Sequence, residues 1–448
     1  MKVMLIQSYL GRHEAEGAIL PIGLCYIASA LKRHDIEIFD PNISESPFVE
    51  MEERMKAFKP HVVGISLRNI DTTQKRDIFY YFKTLQSTVQ LIKKINPSVN
   101  IMVGGAGFSM FAKKIMDRIP MIDFGVYLEG DESVPELLAK LDNPEDVKGI
   151  FLKNNNNKVI FTGTRPFPNV EKLSMPRLDL IDIKNYDHPL YTNIGIQTKR
   201  GCALKCAYCS YPFLNGNKIR LKSMKQVVDE IEFLVNTFNI RRFMFADSVF
   251  NMPERHAEDI CQEIIRRELK VEWSAWFDMK GLSEKLISLA VEAGCKNISF
   301  SPDAASNPSL NALGKGISEK DIQRAMKLLR ELTGVRIEFN FFCTPPMQDF
   351  FGFIKMLLLY IKINLLFLGR SVVNLAWIRI EPETRIYEMA IAEGVISKET
   401  DLLPLEEKEL SGLFYSCPAT RKYADPVFNL LLDIQEKMRP FLKKILGR

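Results

Sequence analysis

Lys199-Arg-Gly-Cys202-Ala-Leu-Lys-Cys206-Ala-Tyr-Cys209 sets three cysteines within eight residues, directly after an apolar strand signal at Ile194–Thr198. The spacing Cys-x3-Cys-x2-Cys decides how the rest of the chain is read. A closed zinc site takes four ligands, commonly two pairs from separate places. No fourth Cys or His lies nearby, since the nearest histidines in sequence are His188 and His256. A [4Fe–4S] cluster presents four irons, so three thiolates leave one iron open to chelate a small molecule and pass it an electron. The other cysteines, at 25, 261, 295, 343 and 417, stand alone among apolar neighbours and read as small buried hydrophobes.

Working outward from the cysteines, residues 193–380 alternate strand and helix patterns. Strands are expected at Ile194–Thr198, Arg242–Ala246, Val271–Trp276, Asn297–Ser301, Arg336–Phe342 and Val372–Ile380, with amphipathic segments between them. Six such units predict a partial (β/α)6 barrel whose reactive face lies at the strand C-termini. Residues 1–142 carry a second series, with strands at Lys2–Ile6, Ile36–Phe39, His61–Leu67, Asn100–Gly105 and Phe124–Leu128. Right-handed crossovers make this a doubly wound parallel sheet that binds ligands beyond the strand C-termini. Residues 143–192 read as a linker, with Pro166, Pro168, Pro176 and Pro189 and an Asn154–Asn157 hairpin turn. Residues 381–448 read as a helical C-terminal region.

The triplet, with Tyr208 before its last cysteine, resembles the signature of the radical S-adenosylmethionine (SAM) superfamily. The resemblance implies a [4Fe–4S] cluster on Cys202, Cys206 and Cys209, with SAM on the open iron and reductive cleavage to a 5′-deoxyadenosyl radical. An electron donor such as ferredoxin or flavodoxin is implied with it. Relatives carry SAM-contacting polar segments after the second and fourth barrel strands. Here these are Phe245-Ala-Asp247-Ser-Val-Phe250-Asn251 and Ser299-Phe-Ser301-Pro-Asp303. Tyr208, Asp247, Asn251, Ser301 and Asp303 are therefore candidates for SAM, although such residues also cap helices. After the fifth strand, Cys343-Thr-Pro-Pro-Met departs from the glycine-rich turn of many relatives, and no residue is carried over there.

The order of elements ahead of the barrel resembles the cobalamin-binding domain fused to part of that superfamily. Pro21-Ile-Gly-Leu24, Asp40-Pro-Asn42, Gly104-Gly105 and Leu128-Glu129-Gly130-Asp-Glu132 carry the likeness. It implies cobalamin, with Arg68, Asn69, Gly104, Gly105, Glu129 and Gly130 as candidate contacts. The Asp-x-His-x-x-Gly motif that elsewhere gives a histidine to cobalt is absent. Arg68 normally stays protonated and cannot then ligate, so it would keep the lower face of cobalt uncoordinated, unless it pairs with Asp71 or a corrin amide. The implied reaction is methylation of an unactivated carbon of a small-molecule, lipid or peptide substrate. Ring formation with the same cofactors, and a non-catalytic Fe–S role, are the alternatives.

Bulk properties agree with a folded globular enzyme. Hydrophobic residues make up 46%, charged residues 26%, and the net charge is +5 over 448 residues. Such scattered charge argues against a nucleic-acid partner. The opening MKVMLIQ is too short for a signal-peptide core, so a cytoplasmic protein is expected. Asp349–Leu368 is strongly apolar but is interrupted by Lys355 and Lys362, and residues 437–448 are basic. A packed barrel helix and a solvated terminal helix are the default readings, with peripheral membrane contact the lesser alternative.

Overall fold

The computed structural model describes residues 1–11, 18–188 and 191–445, so Pro189 and the last three residues of the basic C-terminal segment lie outside it. In the N-terminal half, β1 (Lys2–Gln7), β2 (Asp35–Phe39), β3 (Val62–Ser66), β4 (Asn100–Gly104) and β5 (Phe124–Val126) pair in parallel in the order β2-β1-β3-β4-β5. Val3 to Ile6 are all buried, as a parallel strand covered on both faces requires. Gln7 pairs with Ser66 and Ser66 with Gly104, so the strand C-termini form one level rim. Covering helices are α1 (Ile22–Ala30), α2 (Pro47–Phe58), α3 (Tyr81–Ile95), α4 (Ala106–Arg118) and α5 (Ser133–Ala139). The chain leaves β1 for β2 on one side and returns to β3 on the other, which opens a crevice at that rim.

The expected linker is partly sheet. β6 (Ile150–Lys153) and β7 (Val159–Phe161) form the hairpin around the asparagine turn, and β6 pairs antiparallel with β5. The hairpin therefore extends the first sheet to seven strands. Its stacked Phe151 and Phe161 meet Tyr127 edge-on, and this aromatic packing fastens it to the domain.

The second half is the expected partial barrel. β8 (Gly195–Ile196), β9 (Arg242–Phe245), β10 (Glu272–Trp276), β11 (Cys295–Asp303), β12 (Arg336–Phe342) and β13 (Ser371–Ala376) run parallel in sequence order. In β12, Ile337, Phe339 and Phe341 are buried beneath the helices, while Glu338, Asn340 and Phe342 alternate onto the half-open interior. The outer layer holds α6 (Met224–Phe238), α7 (Glu254–Arg266), α8 (Glu284–Glu292), α9 (Glu319–Arg330) and α10 (Phe350–Leu366).

The C-terminal region, α11 (Arg385–Ala392) and α12 (Arg421–Ile445), is a clasp rather than a tail. It reaches back to the loop after β3 through an Arg76–Asp433 pair, next to a buried Arg379–Asp71 pair at 3.0 Å made by the short strand Ile378–Arg379 that leads into it. Tyr80 also donates to the Pro404 carbonyl at 2.6 Å.

Candidate cofactor site at the domain seam

The cysteine loop is closed by a short antiparallel pairing of Lys199–Arg200 with Arg220–Leu221. Gly201 turns the chain at φ +88°, and a Cβ there would meet the Lys218 carbonyl oxygen at 2.1 Å, so only glycine fits. Within the loop, the Cys202 amide donates to Gly216 O (3.1 Å) and the Ala207 amide to Leu313 O (2.7 Å). The Ile386 amide donates to Ala207 O at 2.8 Å, so α11 buttresses the loop from the C-terminal side.

All three cysteines are free; Cys202 is buried, while Cys206 and Cys209 are half-buried. Burial pushes the Cys206 thiol up, against the pull of Lys315, and burial raises Cys209 to about 12 with help from Cys206 and Cys202. The Cys206 and Cys209 thiols, raised by burial, would gain their thiolate form from a bound cation, which is the condition of a metal-centre loop. Among the described residues no three His, Cys, Asp or Glu side chains converge as ligands of one ion. Thiolates that each take a different iron of a cubane have no need to converge, so this donor set fits a cluster.

The candidates on the barrel fall into two groups. Tyr208 and Asp303 meet at 2.5 Å, and Lys315 completes the set at 2.7 Å from Asp303 and 3.3 Å from the Tyr208 hydroxyl. Asp303 takes φ +68° to reach this position and is buried, and Tyr208 rests edge-on against Phe342. The second group does structural work. The Asp247 carboxylate accepts from the Thr198 amide (2.9 Å), the Thr198 hydroxyl (2.5 Å) and the Lys199 amide (3.3 Å), and its side chain is fully buried. Asn251 accepts from the Asp278 amide at 2.7 Å and donates to Asp278 O and Gly281 O. Both residues brace strand ends, with most of their hydrogen-bonding capacity used inside the protein.

Ser301 is half-buried on β11. Its neighbour Ser299 starts a polar ladder absent from the sequence candidates. Ser299 donates to Glu338 (2.9 Å), and Asn374 donates to Glu338 (2.6 Å) and to Asn340 (3.0 Å). The signal that could have found Glu338 and Asn340 is the period-two alternation of Arg336–Phe342, which sets them on the face opposite Ile337, Phe339 and Phe341; Lys315 has no such signal.

Over the rim of the first sheet lies a cavity of ≈ 200 Å³. Gly104, Gly105, Glu129 and Gly130 line it, joined by Gln197, Arg200 and Asn215 from the barrel side. It runs down between the sheet and helices α1 and α5, past Leu5, Gly64 and Met102. A Cβ on Gly64 would meet Met102 Cε at 2.6 Å and Leu5 Cδ2 at 2.9 Å, so the slot is kept open by the missing side chain. Such a cradle fits a large flat ligand with an appended tail.

Glu129 is less available than its position suggests. It pairs with Arg200 at 2.9 Å and with Arg220, while Asp131 holds Arg200 at 2.6 Å. Arg68 and Asn69 are exposed beyond the cavity wall on the loop after β3. Asp71 is taken by Arg379, so it does not tie up Arg68.

Two family models match the chain on either side of this seam. Residues 10–138 match the B12 binding domain and residues 196–349 the radical SAM superfamily. The chain is a radical SAM protein with a B12-binding domain. An uncharacterized methyltransferase of Pyrococcus horikoshii, PH0819, is 28% identical over 69% of this chain and 66% of its own length. An anaerobic magnesium-protoporphyrin IX monomethyl ester cyclase of Rubrivivax gelatinosus is 25% identical over 76% of this chain and 62% of its own length. The match thus spans just under two thirds of these relatives. The structure of the radical SAM methyltransferase TsrM from Kitasatospora setae, with cobalamin and a [4Fe–4S] cluster bound, superposes with a TM-score of 0.75. It is 19% identical, and the match covers 89% of this chain and 76% of that one, so the B12-binding and radical SAM domains share its fold. Among the described residues no helix is long and apolar enough to cross a membrane.

Proposed function

We propose that this radical SAM protein methylates an unactivated carbon of a small organic substrate, using cobalamin and two molecules of SAM. When bound, the cofactors supply one-electron cleavage of a sulfonium and methyl transfer; the residues hold them, orient them and keep water out. Cys202, Cys206 and Cys209 would carry the cluster. The Tyr208–Asp303–Lys315 set and the Ser299–Glu338–Asn374 ladder would orient SAM at the barrel mouth. Gly64, Gly104, Gly105 and Gly130 would admit cobalamin, with Arg68 and Asn69 on the adjoining loop after β3.

A single observation carries this reading: Arg200, two residues before Cys202, also lines the cavity over the first sheet. The cluster loop and that cavity therefore share a wall, as transfer between two cofactors requires. The similarity to a methyltransferase supports methylation. The similarity to a cyclase keeps ring formation as the second reading. Anaerobic turnover with methyl-deuterated SAM, a chemical reductant and trial acceptors separates them. Methylation puts the label in the product and forms one S-adenosylhomocysteine for each 5′-deoxyadenosine. Ring formation yields 5′-deoxyadenosine with no label transferred.

A further inference from the structure

Two neighbouring helices of the radical SAM half expose an apolar face that the rest of the described chain leaves open. On α10, Phe351 (74% exposed), Leu358 (60%), Ile361 (53%) and Leu365 (71%), with Leu368 (82%) just past its end, recur on one side. Lys355 and Lys362 border that stripe; the first pairs with Glu319 at 2.9 Å and the second donates to Gln323 at 2.5 Å. On α12, Leu430, Ile434 and Met438 are exposed at intervals of four residues. Tyr423 packs on Phe350 and Phe353, and Gln435 donates to the Tyr360 hydroxyl, so the two helices lie side by side. Soluble surfaces scatter large apolar residues singly, whereas a continuous two-helix stripe marks a contact face.

Charge identifies what covers it. The acidic residues Asp433 and Glu436 of α12 are turned to Arg76 of the N-terminal half. From residue 437 to the end, the sequence holds Lys437, Arg439, Lys443, Lys444 and Arg448 and no Asp or Glu. We propose that this face lies on an anionic lipid bilayer, with the α10 and α12 stripes in the interfacial layer and the basic sequence from Lys437 onward supplying the attraction to anionic headgroups. Apolar residues beside clustered cations are the requirements for a helix that lies in the membrane plane. A second copy of the chain would answer the apolar stripe but would set two basic segments against each other.

The test is co-sedimentation of the full-length, cluster-reconstituted protein with phosphatidylcholine vesicles and with vesicles containing phosphatidylglycerol. Binding to the anionic vesicles alone is expected, weakening as salt rises. Neutralising Lys437, Lys443 and Lys444 to Gln should cost about fivefold in affinity per charge. L358Q/L365Q/L368Q should abolish binding, with cluster content and lipid-free SAM cleavage unchanged. Failure to bind either vesicle overturns the proposal, as does equal binding to both. A lipid-free dimer that L358Q/L365Q/L368Q dissolves would equally overturn it, assigning the face to a second copy.

Discussion

Arg200 sits 2.6 Å from Asp131, so one buried guanidinium joins the approach to the cysteine loop to the loop that closes the B12-binding domain. Glu129 lies 2.9 Å from the same side chain, and Arg220 holds Glu129 from the far strand of the hairpin. The side chains of Arg200 and Asp131 are only 10% and 6% exposed. Arg200→Gln would leave Asp131 buried without its cation and Glu129 with Arg220 alone, a loss of about 3–5 kcal/mol where such pairs are broken. Thermal unfolding should show a clear fall in Tm, and cobalamin content after purification should drop more than iron content.

Asp247 is expected to act through the loop it anchors. Asp247→Asn keeps the shape but weakens three hydrogen bonds to Thr198 and Lys199, and each bond to a charged group is worth about 1.5–3 kcal/mol. Iron and sulfide content after reconstitution should fall. Protein that does load a cluster should bind SAM with unchanged affinity by equilibrium dialysis. A large loss of SAM affinity at full cluster content would return Asp247 to the SAM site.

Gly64 gives a substitution that separates the two cofactors. The Cβ contacts at Gly64 are the mobile ends of Met102 and Leu5, so Gly64→Leu can be accommodated by filling the slot. Cobalamin stoichiometry, read from the visible spectrum, should fall by more than tenfold. Cluster absorbance should stay at the unmodified level.

Lys315 neutralises Asp303 inside the barrel mouth, with both side chains under 10% exposed. Lys315→Met should therefore be more damaging than Tyr208→Phe, which removes a hydroxyl but leaves the ion pair. The expected order in SAM-dependent 5′-deoxyadenosine formation is unmodified protein, then Tyr208→Phe, then Lys315→Met. Stability should fall by about 3–5 kcal/mol only in the last, seen as a lowered Tm.

Much of this arrangement was legible in the amino-acid order. The near-continuous apolar runs of the first sheet and the segment Arg336–Phe342 were legible as strands, because burial leaves a period in sequence. Cys202, Cys206 and Cys209 were readable because their spacing is itself the chemistry. Partners distant in sequence were not readable. Asp247 and Asn251 were recognised as polar strand-end residues, but Thr198 and Asp278, which use their oxygens, lie outside any local pattern. Lys315, twelve residues beyond Asp303 in an unremarkable Gly-Lys-Gly, gave no hint of its ion pair. The hairpin turn at Asn154–Asn157 was legible, but its pairing onto β5 was not, because nothing local in two short strands names the strand they join. The C-terminal clasp was missed for a related reason, as Arg379 and Asp71 are 308 positions apart.

The central claim is that one chain holds a SAM-cleaving cluster and a cobalamin across a shared wall. Anaerobic reconstitution with iron, sulfide and hydroxocobalamin, followed by product analysis with SAM and a low-potential reductant, tests it most directly. The predicted result is retained cobalamin, about one per chain, together with reductant-dependent 5′-deoxyadenosine. A protein that loads the cluster yet neither keeps cobalamin nor consumes SAM would contradict it.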